Sequence, residues 1–207
     1  LFRSGEIVMP KGTLITPATI AALATVGAAH ISIVARPRVG VLTTGDEVVS
    51  HDASPNPTQI RNSNGPMLIA LLRSLGAEGI SIGHSLDDVK TIRDKISSAT
   101  VDVLLVTGGM SMGAHDHVPR VLMDLGYRLR ITKLKIKPGK PFVFATPSDC
   151  TRPIVFGLPG NPVSGFVCTL ALVSRLLRRM REAAAEPVWM DLTLEHDLAE
   201  NGPREFY

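Results

Sequence analysis

The sequence predicts an α/β fold, a three-layer α/β/α sandwich with a mostly parallel sheet. Short β-branched runs alternate with amphipathic helical stripes from Val39 onward, and short polar or glycine-rich segments connect them. Apolar residues make up 44% of the 207 residues, which is enough to fill a core. Strands that alternate with helices over short connections form parallel sheets covered on both faces. Ligands of such sheets bind beyond the carboxyl ends of the strands, so we expect a site in the loops that follow strands.

The upstream region, residues 1–36, predicts one helix and one short strand. Thr16 is a cap residue and Pro17 suits the first helical position, and the apolar stripe that follows ends at Gly27. The apolar run at residues 31–34 predicts a strand.

The main domain, residues 37–181, predicts alternating strands and helices. Strands are expected at residues 39–43, 80–83, 101–107, 129–136, 142–145 and 154–158. Helices are expected after the cap residues Asn62-Ser63-Asn64, after Asp87-Asp88, at residues 118–125 and at residues 162–180. Residues 181–187 are typical of a hinge, and residues 188–194 predict the first strand of a further domain.

Composition and charge exclude several classes of protein. The formal net charge of +3 suits an anionic small molecule but not a nucleic-acid partner. Residues 153–174 carry no charge, but Pro159 and Pro162 favour a strand, a turn and a helix over a membrane span. No signal or transit peptide is recognised at the start. Cys150 and Cys168 lack metal-ligand spacing and are expected to be buried thiols in a reducing cytoplasm.

The loop after the strand at residues 101–107 is rich in glycine. It contains Gly108, Gly109 and Gly113, and Asp116 lies at the start of the next helix. Glycines let the backbone approach a ligand closely, and a helix N-terminus attracts oxyanions. The loop has neither the Walker nor the dinucleotide pattern, so a phosphate cradle and a simple tight turn both stay open. Asp116 is either a helix cap or a carboxylate suited to Mg²⁺.

A second candidate segment is rich in lysine. If residues 129–136 form a strand, Lys133, Lys135 and Lys137 point to one side of it. Lysines on such a face are usually only solvated. The Pro-Gly turn that follows favours a functional reading, because it fixes Lys137 and Lys140 around a rigid bend where cations can converge on a polyanion.

Two further loops follow predicted strands. Residues 157–165 turn from strand to helix, and Ser164 is expected in the exposed first turn of that helix. The GxSxG pattern of a nucleophilic serine is absent, so a hydrolase triad is not indicated. Asp87 and Asp88 are either helix caps or carboxylates that serve a site. His115 and His117, which flank Asp116, are the only suggestive histidine pair.

Together and in this order, these loops resemble the molybdopterin molybdenumtransferases of the MoeA and gephyrin E-domain family. The resemblance covers residues 37–181, and residues 3–27 and the tail resemble neighbouring family segments. It divides the chain into part of an upstream domain with a linker at residues 1–36, a molybdopterin-binding α/β domain at residues 37–181, and the start of a C-terminal β domain at residues 182–207. The segments that carry it are TTGDEV at 43–48, IRNSNGPML at 60–68, VDVLLVTGGMSMGAHDHV at 101–118, KLKIKPGKPFVFA at 133–145 and FGLPGNPVS at 156–164.

The resemblance implies an enzyme of molybdenum cofactor biosynthesis. Such an enzyme inserts molybdate into adenylylated molybdopterin and releases AMP, with Mg²⁺ as its cofactor. Family members are cytoplasmic homodimers of about twice this length, so the 207-residue chain alone is expected to be inactive. Neither a nucleic-acid partner nor a membrane is expected.

The resemblance also implies site residues, each carried over by its motif. Asp87 and Asp116 match aspartates needed for activity and for handling a metal or the pyrophosphate, and Lys133 and Lys137 match active-site lysines. Carboxylates, lysines and a glycine loop together suit metal-assisted cleavage of a phosphoanhydride. Asn62 stands where the family usually has Asp, and it can still cap the following helix. The implied substrate-binding residues are Gly108, Gly109, Ser111, Gly113, Lys140, Pro141 and Ser164.

Two alternatives remain at this point. One is a molybdopterin adenylyltransferase-like domain of the same fold, and the other is a non-catalytic scaffold. The Lys-Pro-Gly-Lys-Pro segment at 137–141 and the Leu-Pro-Gly-Asn-Pro segment at 158–162 favour the molybdenum-inserting enzyme.

Overall fold

A six-stranded sheet lies at the centre of the computed structural model, which describes residues 3, 5–110, 117–149, 151–183, 190–191, 193, 195–196 and 205–206. The sheet order is β4-β1-β5-β9-β8-β6, and two short pairs, β2-β3 and β7-β10, lie outside it. The strands are β1 Arg38–Thr44, β2 Val48–Val49, β3 Ile60–Arg61, β4 Glu78–Ser85, β5 Val103–Thr107, β6 Arg128–Ile131, β7 Ile136–Lys137, β8 Val143–Thr146, β9 Ile154–Leu158 and β10 Glu205–Phe206.

Helices cover both faces of the sheet. Strand β5 shows why, because its side chains alternate between the faces: Val103 and Leu105 pack into one core, and Leu104 and Val106 into the other. Helices α2, α5 and α6 cover the first core, and α3 and α4 cover the second. The helices are α1 Pro17–Thr25, α2 Asn64–Ser74, α3 Val89–Ser98, α4 His117–Asp124, α5 Pro162–Cys168 and α6 Ser174–Met180.

The sheet is mostly parallel, as the alternation of strands and helices predicts. Strands β4, β1, β5 and β9 are parallel neighbours. Strand β8 is antiparallel to β9, and β6 is antiparallel to β8. The three-layer α/β prediction is therefore confirmed.

The prediction of one strand over residues 129–136 is wrong. Strand β6 ends at Ile131, and β7 pairs with β10 instead of the main sheet. The backbone N–H of Leu134 donates to the carbonyl oxygen of Lys140 (3.1 Å), so the chain closes a turn there instead of extending the strand. Lys133, Lys135 and Lys137 consequently do not share one strand face.

The short strand expected at residues 31–34 is also absent. No described strand pairs with this segment, and Ile31 and Ile33 are exposed. A β-branched run forms a strand only where a neighbour accepts its backbone hydrogen bonds, which explains the difference. The expected strand at 188–194 lies largely outside the described residues.

The helix predicted at 162–180 is present, with one irregular turn. Residues 169–173 form a π-helical turn between α5 and α6. The Thr169 hydroxyl donates to the Gly165 carbonyl (2.8 Å) and the Ser174 hydroxyl to the Leu170 carbonyl (2.6 Å), so side chains bond to the backbone at both ends of this turn. The uncharged stretch at 153–174 is thus a strand, a turn and a helix. Among the described residues, no helix has the length and apolarity needed to cross a membrane.

Two neighbouring residues of α4 test the assignment of the second core. Leu122 is fully buried, whereas Met123 is 55% exposed. We expect Leu122→Ala to lower the free energy of unfolding by about 2–5 kcal/mol, because it leaves a cavity. Met123→Ala, the matched control, should change it by less than about 0.5 kcal/mol. Urea denaturation measures both, and equal effects would contradict the packing described.

Candidate active site

The predicted site loops meet at one edge of the sheet. Strands β4, β1, β5 and β9 end there in that spatial order. Strand β8 runs the opposite way, with Val143 opposite Gly157, so the residues before β8 reach the same edge. Neighbouring strands lie about 4.8 Å apart, so the five loops from β4 to β8 span about 19 Å. This width suits an extended small-molecule substrate.

The glycine turn after β5 packs tightly on the end of β1. Gly108 has φ +98°, and Gly109 has φ +61°, so both lie in the left-handed region. A Cβ atom at Gly108 would lie 2.4 Å from the Thr44 carbonyl oxygen. A Cβ atom at Gly109 would lie 3.3 Å from the Thr44 hydroxyl and 3.9 Å from Oδ1 of Asp87. The turn therefore requires glycine, and it brings the backbone close to the Asp87 carboxylate.

Asp87 lies in a negatively charged environment in the loop after β4. Its backbone N–H donates to Oδ1 of Asp46 (2.9 Å), and its side chain is partly buried. Burial raises the pKa of the Asp87 carboxyl, and the charges of Asp46 and Glu47 raise it further. The Thr44 hydroxyl and His117 partly offset this pKa rise. A cation at this carboxylate would favour its ionised form.

Asn64 connects α2 to the ends of two strands. Its Nδ2 donates to Oγ1 of Thr107 (2.9 Å) and to the carbonyl oxygen of Gly160 (2.8 Å). Thr107 precedes the glycine turn, and Gly160 lies within the loop after β9. A Cβ atom at Gly160 would lie 3.9 Å from the Cα of Gly108, so these two loops are neighbours.

Ser164 differs from its prediction because it is buried, with 9% of its surface exposed. Asn161 caps α5, and its Oδ1 accepts from the backbone N–H of Ser164 (3.2 Å). Ser164 and the adjacent Gly165 are both buried where α5 begins. The side chain at 164 is therefore not on an exposed first turn, although it lies at the predicted edge of the sheet.

The lysine-rich turn has a buried backbone and exposed lysines. Gly139 has φ +119°, and a Cβ atom there would lie 2.7 Å from Sγ of Cys168. Burial raises the pKa of the Cys168 thiol to about 11, so this cysteine is a packing residue instead of a nucleophile. The side chains of Lys133, Lys137 and Lys140 are exposed around this turn.

The structure assembles part of the predicted site. Asp87 lies beside the glycine turn after β5. Counted from that turn, Ser164 follows the next strand of the sheet, β9, and Lys140 and Pro141 precede the strand after it, β8. Within the described part of the chain, no group of three His, Cys, Asp or Glu residues could hold a metal. Ser111, Gly113, His115 and Asp116 lie outside the described residues, so the predicted Asp87–Asp116 pair stays a prediction.

Sequence reasoning missed Thr44, Asp46 and Asn64 as residues of this edge. Thr44 and Asp46 lie in the segment TTGDEV, which contributes only to the resemblance, and Asn64 lies in IRNSNGPML, where the sequence predicts a helix cap and no site residue. For Thr44 and Asp46 the available signal was polarity at and just after the end of a buried β-branched run. Asn64 has no such signal, because the strand before it is short and exposed.

The comparison with protein families identifies the class of this domain. Residues 40–179 match the family described as a probable molybdopterin binding domain. The chain belongs to this family. The resemblance to the molybdopterin molybdenumtransferases is confirmed by curated relatives that carry this name.

Two curated relatives carry the name molybdopterin molybdenumtransferase. The protein from Nostoc sp. is 34% identical over 210 residues, which cover 100% of this chain and 48% of the relative. The protein from Synechococcus elongatus is 36% identical over 197 residues, which cover 92% of this chain and 48% of the relative. The crystal structure of the molybdopterin biosynthesis MoeA protein from Pyrococcus horikoshii has a TM-score of 0.68 at 27% identity, covering 86% of this chain and 43% of that one. The chain spans about half the length of the curated relatives it matches.

Replacement of Gly108 tests the packing of the glycine turn. Gly108→Ala should lower the free energy of unfolding by about 1–3 kcal/mol, because the residue is left-handed and its Cβ would meet the fixed backbone of β1. Gly160→Ala is the matched control in the adjacent loop, where the nearest atom is 3.9 Å away. Equal unfolding free energies for the two variants, measured in urea, would rule out the tight turn.

Asp87→Asn tests the electrostatics of the same edge. A carboxyl with a raised pKa destabilises the folded state once it ionises, so this variant should have a higher Tm than the parent chain at pH 7. The expected gain is about 1–3 °C, and it should vanish as the pH falls below about 3.8, where the carboxyl is protonated in both states.

The neighbouring Asp88 supplies a control of opposite sign. The backbone N–H of Thr91 lowers the pKa of Asp88, so Asp88→Asn should lower the Tm at pH 7. A lower Tm for Asp87→Asn at pH 7 would contradict the proposed charge environment.

Proposed function

We propose that this chain carries the substrate-binding α/β domain of a molybdopterin molybdenumtransferase, which inserts molybdate into adenylylated molybdopterin and releases AMP. The observation that carries the proposal is the tightly packed glycine turn that lies against the Asp87 carboxylate at the carboxyl edge of the sheet. The curated relatives with this name support the substrate and the reaction.

The proposed substrate is a polyanion, and the edge offers matching groups. Lys133, Lys137 and Lys140 carry positive charge around a turn whose backbone is fixed by Gly139. Cleaving the phosphoanhydride places negative charge on phosphate oxygens, and lysines held at that point stabilise the charge. Gly108 and Gly109 have no side chains that would keep a phosphate from the backbone of this turn. We infer that Lys137 and Lys140 bind the anion, and that Ser164 and Pro141 line the same pocket.

Mg²⁺ fits the oxygen donors of this edge. It takes one or two carboxylates and completes its shell with phosphate oxygens and water. Asp87 supplies one partly buried carboxylate, and Asp116 is the second ligand that we infer from the sequence. When bound, the ion neutralises charge on the phosphate oxygens. The negative neighbours of Asp87 favour a cation there.

In our proposal, the complete activity needs further domains and a second subunit in addition to this chain. Relatives are about twice as long. We infer a cytoplasmic homodimer in which residues 1–36 and 182–207 belong to neighbouring domains that complete the pocket.

The reaction is tested with a version of the protein that has the length of its relatives. Incubated with adenylylated molybdopterin and Mg²⁺, it should release AMP only when molybdate is added. Release of pyrophosphate from ATP and molybdopterin would instead indicate an adenylyltransferase. Release of neither product would refute catalysis and favour a scaffold.

Lys137→Ala tests the proposed anion site within that assay. Loss of one stabilising charge should lower kcat by about 10²-fold. Lys95→Ala is the control, because Lys95 lies in the last turn of α3, at the end of that helix that is remote from the site loops. Equal rates for the two variants would exclude Lys137 from the site.

A further inference from the structure

Asn62 uses both ends of its side-chain amide at the start of α2. Its Oδ1 accepts from the backbone N–H of Gly65 (2.9 Å), and its Nδ2 donates to Oγ1 of Thr43 (2.9 Å). Thr43 lies near the end of β1 and is 3% exposed. Its Oγ1 also lies 3.2 Å from Nδ1 of His84, in the neighbouring strand β4. Asn62 therefore joins the start of α2 to the end of β1, and Thr43 continues the link to β4.

The chemistry of these groups fixes the direction of both Asn62 hydrogen bonds and constrains the direction of the bond between Thr43 and His84. A backbone N–H can only donate, so Oδ1 of Asn62 must face Gly65 and its NH₂ group must face Thr43. The Thr43 hydroxyl accepts that bond and still has a proton to donate. Among the described residues, His84 Nδ1 is the only acceptor within reach of that proton. Donation from Asn62 to Thr43 is therefore fixed. Donation from Thr43 to His84 is the direction that gives the buried hydroxyl proton an acceptor, because with Nδ1 protonated Thr43 would accept from both neighbours and its own proton would lack one.

We propose that Asn62 is a positioning residue, which holds the site loops through this one-way chain from the Asn62 amide to the Thr43 hydroxyl and the His84 imidazole. This series of hydrogen bonds places the ring proton of neutral His84 on Nε2, because Nδ1 accepts the bond from Thr43. Nε2 is buried and has no hydrogen-bond partner within the described part of the protein, so the contact at Nδ1 is the hydrogen bond that these residues give the ring.

The consequence for the site follows through Asn64. Asn62 fixes the first turn of α2, and Asn64 at that turn holds Thr107 and Gly160. These residues flank Gly108, the start of the glycine turn. Only the catalytic meaning of this link rests on the proposed function. The hydrogen bonds themselves do not depend on the reaction.

The carboxylate of an aspartate at position 62 would require the opposite direction. A carboxylate can accept from Gly65 but cannot donate to Thr43. The Thr43 hydroxyl would then donate to position 62, and His84 would have to donate from Nδ1. Asn62 and the Nε2-protonated form of His84 are therefore a matched set in this sequence.

The test is the ¹⁵N spectrum of the His84 ring in the 207-residue chain at pH 8. We expect Nε2 to carry the proton in the parent chain, and the proton to move to Nδ1 in Asn62→Asp. Asn56→Asp is the matched control, because Asn56 is exposed and its Oδ1 only accepts bonds from Thr58. It should leave the His84 spectrum unchanged. A ring proton on Nδ1 in the parent chain, or an unchanged ring in Asn62→Asp, would overturn the proposal.

Two further variants keep the test decisive if Asn62→Asp does not fold. Thr43→Val removes the hydroxyl at similar volume, and it should shift the Nδ1 signal to the position of a free acceptor. Asn62→Ala should shift the backbone amide signals of Gly108 and Gly160, whereas Asn56→Ala should not. Unchanged signals in Thr43→Val and Asn62→Ala would refute the proposed series of hydrogen bonds from Asn62 through Thr43 to His84. All these spectra stay valid if molybdate-dependent AMP release fails, so the two proposals are tested separately.

Discussion

The close contact between the glycine turn and the end of β1 is the constraint on which the site depends. Gly108 leaves β5 in a left-handed conformation, directly against the Thr44 carbonyl. Only a backbone without Cβ atoms fits there, and this brings the turn next to Asp87. Because β1 and β5 are adjacent parallel strands, the register of the central sheet sets the geometry of the edge.

The other loops are held to that turn by polar side chains that also serve as helix caps. Asn161 caps α5 while the adjacent Gly160 accepts from Asn64. Asn62 satisfies an N–H of α2 while it bonds to Thr43. The start of α2 is thus tied to the ends of β1 and β5. A polyanion bound here would meet a backbone that is already ordered, which reduces the entropic cost of binding.

Charge is distributed unevenly along the same edge. Carboxylates gather at the ends of β1 and β4, and lysines gather around the turn before β8. The two groups lie on opposite sides of the glycine turn. This arrangement suits a substrate with a phosphate near the middle and a cation at one side, which is the chemistry proposed for the domain.

The sequence by itself determined the fold class, most element positions and the loops that form the edge. These follow from local signals: the apolar period of strands and helices, the glycine turns, and caps such as Asp88. Tertiary structure alone decided which strands pair, and it ended β6 at Ile131 where the pattern of Lys133, Lys135 and Lys137 predicted a longer strand. It also decided that Ser164 is buried and that Asn62, Thr43 and His84 meet. Contacts between residues distant in sequence depend on sheet order and register, and a single sequence carries no local signal for either.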